Sequence, residues 1–277
     1  GKRFVYDHHD LGPEMYHARF LGNGNRLAYH ALVWLEKLSC QFADQVIAVN
    51  QSYKTVEMQR GHVPENRITI VRNAPDLNRL RPTEADLDLR QKGKAIIVYV
   101  GVMGFQDGVD HLLKALQHLL YDLGRTDLLC VLVGAGQALP SLKSLTAQLG
   151  LADYVLFTGW VEYTEVARYL SAADICVAPE PSNPYNDRST MEKIMEYMAL
   201  GKPIVAFDLP EHRVTAQDAA VYARPNDELD FAQQIAALMD DPERRQKMGQ
   251  TGKQRIEMEL AWSHQEKHLL EAYQALA

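Results

Sequence analysis

The stretch "NDRSTMEKIMEYMALGKP", residues 186 to 203, gathers the densest set of groups able to do chemistry in this 277-residue chain. Ser189 and Thr190 offer hydroxyls ahead of a helical pattern, and a helix N-terminus brings partial positive charge and unpaired N–H groups. Arg188 can grip a phosphate through two parallel hydrogen bonds, and Lys193 can approach one as a point charge. Glu196 shares a helix face with Glu192 and Lys193, and its carboxylate suits a pair of ribose hydroxyls. These residue types would suit a phosphate and a pair of ribose hydroxyls. A solvated helix with an i, i+3/i+4 charge cluster is the plainer explanation. The Ser189–Glu192 spacing predicts a capping box, and Gly201 with Pro203 marks the helix stop.

Other stretches also carry small or polar residues after strand-like runs. "GVMGFQDG" (101–108) has glycines at 101, 104 and 108, and "GAGQ" (134–137) has two. Such turns let backbone amides approach an anion. Neither matches the dinucleotide fingerprint G-x-G-x-x-G, and no Walker loop is present. "WVE" (160–162) follows a third strand. In parallel sheets ligands bind outside the carboxyl ends of the strands, where all these residues fall.

The elements that must position them alternate. Strands are expected at 3–7, 44–50, 67–76, 95–101, 127–133, 154–160, 174–180, 203–208 and 219–225. Helices are expected over 14–43, 52–61, 108–123, 138–149, 163–172, 228–241, 242–260 and the final "WSHQEKHLLEAYQAL". A polar, Pro-containing linker is placed at 77–93. Continuous apolar strands such as "AIIVYVG" suit a parallel sheet covered on both faces, and the alternation argues a doubly wound α/β fold.

The net charge of −7 weighs against a nucleic-acid binder. Cys40, Cys130 and Cys176 are far apart in apolar contexts, with neither metal nor disulfide spacing, and read as reduced, buried thiols of a cytoplasmic protein. No membrane span or signal peptide is evident. "HARFLGNGNRLAYHALVWLEKL" (17–38) is basic and apolar and reads as a core helix.

"STMEKIMEYMALGKPIVAFD" resembles the donor-site segment of retaining family-4 glycosyltransferases, which have the GT-B fold of two Rossmann-like domains. Segments 43–76, 98–116, 132–161 and 261–273 resemble further parts of that family in the same order. The resemblance implies a partial N-terminal, acceptor-side domain at 1–81, a complete nucleotide-sugar-binding domain at 82–255, and a last helix, 256–277, crossing back to the first domain. About 100 residues, at roughly 30 per βα unit, would precede Gly1, so low or no transferase activity is expected of this chain by itself.

The family also implies roles. Glu196 would hold the ribose; Ser189 and Thr190, with Gly101 to Gly104, would hold the diphosphate; Val161 and Glu162 would border the base. His9, in "HHDLGPE", would face the reacting sugar. Three positions depart from the family: Arg188 replaces its usual Glu, and Val102 and Asp107 replace its usual Arg and Lys. Either the protein is inactive, or Arg188 and Lys193 have taken over the diphosphate charge; the second is favoured. His9, Arg188 and Lys193 are thus the catalytic candidates.

The implied activity is retaining transfer of a sugar from a nucleotide-diphosphate sugar to a sugar or lipid-linked acceptor, in polysaccharide or glycoconjugate synthesis. No cofactor is expected beyond the donor, and no metal. "DLD" (86–88) is discounted because it lies in the linker. A cytoplasmic location is expected, with peripheral contact at the inner membrane face left open. A nucleotide-sugar epimerase, which would draw on carboxylates such as Asp7, Asp10 and Glu14, and a non-catalytic nucleotide-binding module remain as alternatives.

Overall fold

The computed structural model describes residues 2–20, 22–77, 80–83, 89 and 94–276. Most of the expected linker, "DLD" included, lies outside the described residues. Two compact units emerge: Gly1–Ala74 with Asn183–Thr190 and Glu259–Ala277, and Pro75–Ser182 with Met191–Met258.

The first unit holds a parallel sheet in the order β1 (Val5–His8), β2 (Gln45–Ala48), β3 (Ile68–Ile70). The β2 strand is buried throughout, as expected for a strand flanked on both sides. Its helices are α1 (Gly12–Arg19), α2 (Arg26–Phe42) and α3 (Gln51–Gln59), and Leu11, Cys40, Val46, Tyr53 and Ile68 form their shared core.

The single helix expected over 14–43 is two. Asn25 starts α2 afresh, its Oδ1 accepting from the amides of Leu27 (2.8 Å) and Ala28 (3.4 Å). The expectation of a core helix over 17–38 is also corrected. Leu27, Trp34, Leu35 and Phe42 lie on the exposed face, with Leu27 80% exposed. The buried positions of α2 are Glu36 and Cys40, because Glu36 turns inward to buried charged partners described below.

The second unit is a six-stranded parallel sheet, β6 (Val155–Gly159), β5 (Leu128–Val133), β4 (Ala95–Val100), β7 (Ile175–Ala178), β8 (Ile204–Phe207), β9 (Ala220–Ala223). Its helices are α4 (Val109–Tyr121), α5 (Leu139–Gln148), α6 (Tyr163–Ala172), α7 (Glu192–Ala199), α8 (Pro210–Ala216), α9 (Glu228–Met239) and α10 (Pro242–Arg255). The helix expected over 242–260 stops at Arg255 and passes into a π-type turn, Ile256–Leu260. The amphipathic α4 buries Leu112, Leu113, Leu116 and Leu119 against the sheet, each contributing about 1.5–3 kcal/mol. The strand order reverses direction between β4 and β7, and the carboxyl ends of those two strands are where open parallel sheets generally bind ligands.

The last helix, α11 (Trp262–Gln274), belongs to the first unit, where Ala272 packs with Ile47 and Val71 and Gln265 accepts from the Arg72 amide at 3.1 Å. Among the described residues no helix is long and apolar enough to cross a membrane.

Candidate functional site

In the second unit, Lys193 in the first turn of α7 reaches the end of β4. Its ammonium pairs with the fully buried Glu180, which follows β7, and donates to the Tyr99 hydroxyl at 3.4 Å. It also sits 4.7 Å over the Tyr99 ring. Burial would lower the Lys193 pKa, but Glu180, Tyr99 and Asp107 together hold it above the ordinary lysine value. A Cβ on Gly101 would lie 3.1 Å from Lys193 Cε, so the lysine stem rests against the bare glycine.

The two glycine-containing loops interlock. A side chain on Gly134 would lie 2.0 Å from the Gly101 carbonyl oxygen, and one on Gly136 2.4 Å from that of Met103. Backbone approach therefore accounts for "GAG". The amides of the first loop are engaged: Gly101 donates to Val133 O (3.0 Å), Met103 to Ala135 O (3.1 Å) and Gly104 to Asp107 Oδ2 (2.8 Å).

Farther along α7, Glu196 accepts from the Tyr163 hydroxyl at 3.2 Å. Burial raises its pKa; Glu192 adds to the rise, while Tyr163 and Lys193 oppose it. Tyr163 directly follows Glu162, so this bond brings the turn of Val161 and Glu162 to Glu196.

The expected capping box does not form. No side chain caps α7, and the Ser189 hydroxyl donates instead to Tyr185 O at 2.8 Å. Segment 183–190 leaves β7 but is anchored in the first unit. Buried Asn50 caps α3 through Oδ1, 2.8 Å from the Tyr53 amide. Its Nδ2 donates to Arg188 O (2.8 Å) and Thr190 Oγ1 (3.0 Å). The Arg188 guanidinium donates to Pro184 O at 2.7 Å.

His9 lies half-exposed with Nε2 3.0 Å from Asp7 Oδ1. Its neighbour His8 is buried, with Nδ1 3.1 Å from Glu57 and Nε2 3.5 Å from Glu36. Burial would lower the His8 pKa, but the two carboxylates raise it to about 9. Arg60 completes the cluster, binding Glu36 (2.6 Å) and both oxygens of Glu14 (2.6 and 3.1 Å). Glu14 is thereby occupied, and Asp10 accepts from the Tyr185 hydroxyl at 3.1 Å. All three thiols are buried, and burial pushes Cys40 and Cys176 up to about 12, too high for nucleophiles.

Glu180, Asn50, Tyr163 and His8 were not among the residues singled out from the sequence. Glu180 could have been found as the carboxylate directly after β7, and Tyr163 by its place beside Glu162. The carboxylates that hold His8, and the Arg188 and Thr190 groups that Asn50 tethers, lie far off in the chain and leave no local signal.

The sequence profile of the family described as "Glycosyl transferases group 1" matches residues 83–255, more than half of the chain, and the chain belongs to that family. It is 28% identical to the alpha-maltose-1-phosphate synthase of Mycolicibacterium smegmatis, over the whole chain and 74% of that protein. It is 23% identical to an uncharacterized glycosyltransferase of Methanocaldococcus jannaschii, over 89% of this chain and 63% of that one. It is also 26% identical to the alpha-D-kanosaminyltransferase of Streptomyces kanamyceticus, over 78% and 56%. The chain thus spans between about half and three-quarters of the length of these relatives.

Among solved structures, sucrose-phosphate synthase from Thermosynechococcus elongatus superposes with a TM-score of 0.80 at 21% identity, covering 99% of this chain and 68% of that one. Anabaena HepE in complex with UDP gives 0.78 at 19%, covering 99% and 72%. The fold is that of the GT-B glycosyltransferases, with Rossmann-like parallel sheets.

Proposed function

We propose that this chain is the donor-binding part, with a portion of the acceptor-side domain, of a retaining family-4 glycosyltransferase. It would move a sugar from a nucleotide-diphosphate sugar to a sugar or lipid-linked acceptor. The observation that carries this reading is the Lys193 ammonium, oriented by Glu180 and Tyr99 against Gly101 at the carboxyl ends of β4 and β7.

Transfer breaks the bond between the sugar's anomeric carbon and the diphosphate oxygen. The acceptor oxygen bonds to the same face of that carbon, and its proton goes to the departing diphosphate. Stabilising the leaving oxygens by preorganised donors is then the largest contribution. Lys193 is a buried donor already held in place. Because Glu180 cancels much of its charge, the uncapped N-terminus of α7 matters more to the diphosphate. On the family resemblance alone, Arg188, Ser189 and Thr190 are proposed for the diphosphate, and His9 for the reacting sugar. Glu196 is the ribose acceptor, with Val161 and Glu162 bordering the base.

Gly101 and Gly104 contribute space rather than amide donors, since both amides are engaged. UDP and UDP-glucose in HepE complexes support a nucleotide donor of this type. The reading includes no metal ion, so chelation should leave nucleotide binding unchanged. Asp107, holding the Gly104 amide where the family usually has Lys, favours a second reading in which nucleotide binds without turnover. Turnover of a nucleotide-sugar panel by a longer chain separates the two. The anomeric configuration of the product, read by NMR, tests retention, and an inverted product would overturn it.

A further inference from the structure

Helices α1 and α2 frame a groove of about 570 Å³ within the first unit, lined chiefly by Glu14, Tyr16, His17, Arg26, Tyr29 and His30. Both Glu14 oxygens are bound by Arg60, so Glu14 adds little free negative charge. Among the described residues, the Arg26 guanidinium and the imidazoles of His17 and His30 have no hydrogen-bond or ion-pair partner. The two imidazoles flank the Tyr29 ring edge-on, with centroids at 6.2 and 5.6 Å.

One wall is built in advance. A Cβ on Gly24 would lie 2.5 Å from the Tyr16 ring, and the Tyr16 hydroxyl accepts from the Asn25 amide at 2.8 Å. The groove therefore offers one uncommitted guanidinium, two nitrogen rings and an aromatic face, a combination that matches an anion carried on a partly apolar body.

We infer that this groove binds the phosphate ester of the acceptor, with Arg26, His17 and His30 around the phosphate and Tyr29 against the group it is attached to. The inference rests on the glycosyltransferase reading, and α1 begins at Gly12, just beyond His9. A phosphorylated sugar and a phosphate-headed lipid present the same phosphate chemistry, and the test separates them.

Glucose 1-phosphate, unphosphorylated glucose and dihexanoyl phosphatidic acid are each titrated calorimetrically into the whole chain, with UDP saturating. At least one of the two phosphate esters should bind, glucose should bind at least about tenfold more weakly, and Arg26→Gln should weaken the phosphate ester about tenfold. His30→Gln should weaken it severalfold. Preference for glucose 1-phosphate identifies a soluble acceptor, and preference for the phosphatidic acid a lipid-linked one. The inference is overturned if neither ester binds, if glucose binds equally well, or if both variants bind the esters like the wild type while keeping its melting temperature. UDP is titrated separately: ester binding without UDP binding would count against the donor reading and leave the groove in place.

Discussion

Lys193 and Glu180 form an ion pair at the carboxyl ends of β4 and β7, with the carboxylate fully buried and the ammonium nearly so. They lie thirteen positions apart in the chain, and segment 183–190 of the intervening stretch belongs to the other unit.

Removing one partner strands the other charge. Glu180→Gln should destabilise the chain by about 3–5 kcal/mol in a denaturant melt. Glu180→Gln with Lys193→Met should recover much of that stability, yet still lose diphosphate affinity. A double variant no more stable than Glu180→Gln would show that the pair is not what the burial is organised around.

Glu196 gives a pH signature. Its folded pKa is raised, chiefly by burial, so the native state holds the proton more tightly than the unfolded chain does. Its contribution to stability is present below the unfolded carboxylate pKa and is lost as pH rises through the folded one. Glu196→Gln, which can still accept from Tyr163, should therefore melt higher than wild type at pH 8. The gain should shrink as pH falls through the carboxylate range, and melting curves across pH 4 to 8 check this.

His8 works with the same sign. Its pKa is raised to about 9 by Glu36 and Glu57 despite burial. Its stabilisation should be complete below the ordinary histidine value of about 6.5 and fade as pH rises through about 9. His8→Gln should melt well below wild type at pH 6, with the gap narrowing by pH 10. Imidazole proton shifts in an NMR titration would show the same midpoint directly.

Asn50→Ala removes the α3 cap and both tethers to segment 183–190. A loss of about 1–3 kcal/mol is expected, together with faster amide exchange at Arg188, Ser189 and Thr190. Unchanged exchange there would show that the segment is held by other contacts.

Much of the second unit was legible because its strands are buried on both faces. "AIIVYV" and "LLCVLV" read as continuous apolar runs, and the stripe of α4 has helical spacing. Gly201 takes φ +65° as the helix stop anticipated at that position. Where local pattern failed, a distant partner decided. The inward face of α2 is set by Glu36 meeting Arg60 and His8, so the apolar stripe of Leu27, Trp34 and Phe42 pointed the wrong way. Ser189 has capping spacing, yet Tyr185 O takes its hydroxyl. The candidate residues Lys193 and Glu196 stood out by type and spacing; Glu180 and Tyr163, which orient them, are joined to them by the fold.

The most direct test of the donor reading is calorimetric titration of this chain with UDP, GDP and ADP, beside the matching nucleosides, for wild type, Lys193→Met and Glu196→Ala. One nucleoside diphosphate should bind, Lys193→Met should weaken the diphosphate about tenfold or more while sparing the nucleoside, and Glu196→Ala should weaken both. Absence of binding to all three nucleotides, or wild-type affinity in both variants, would contradict it.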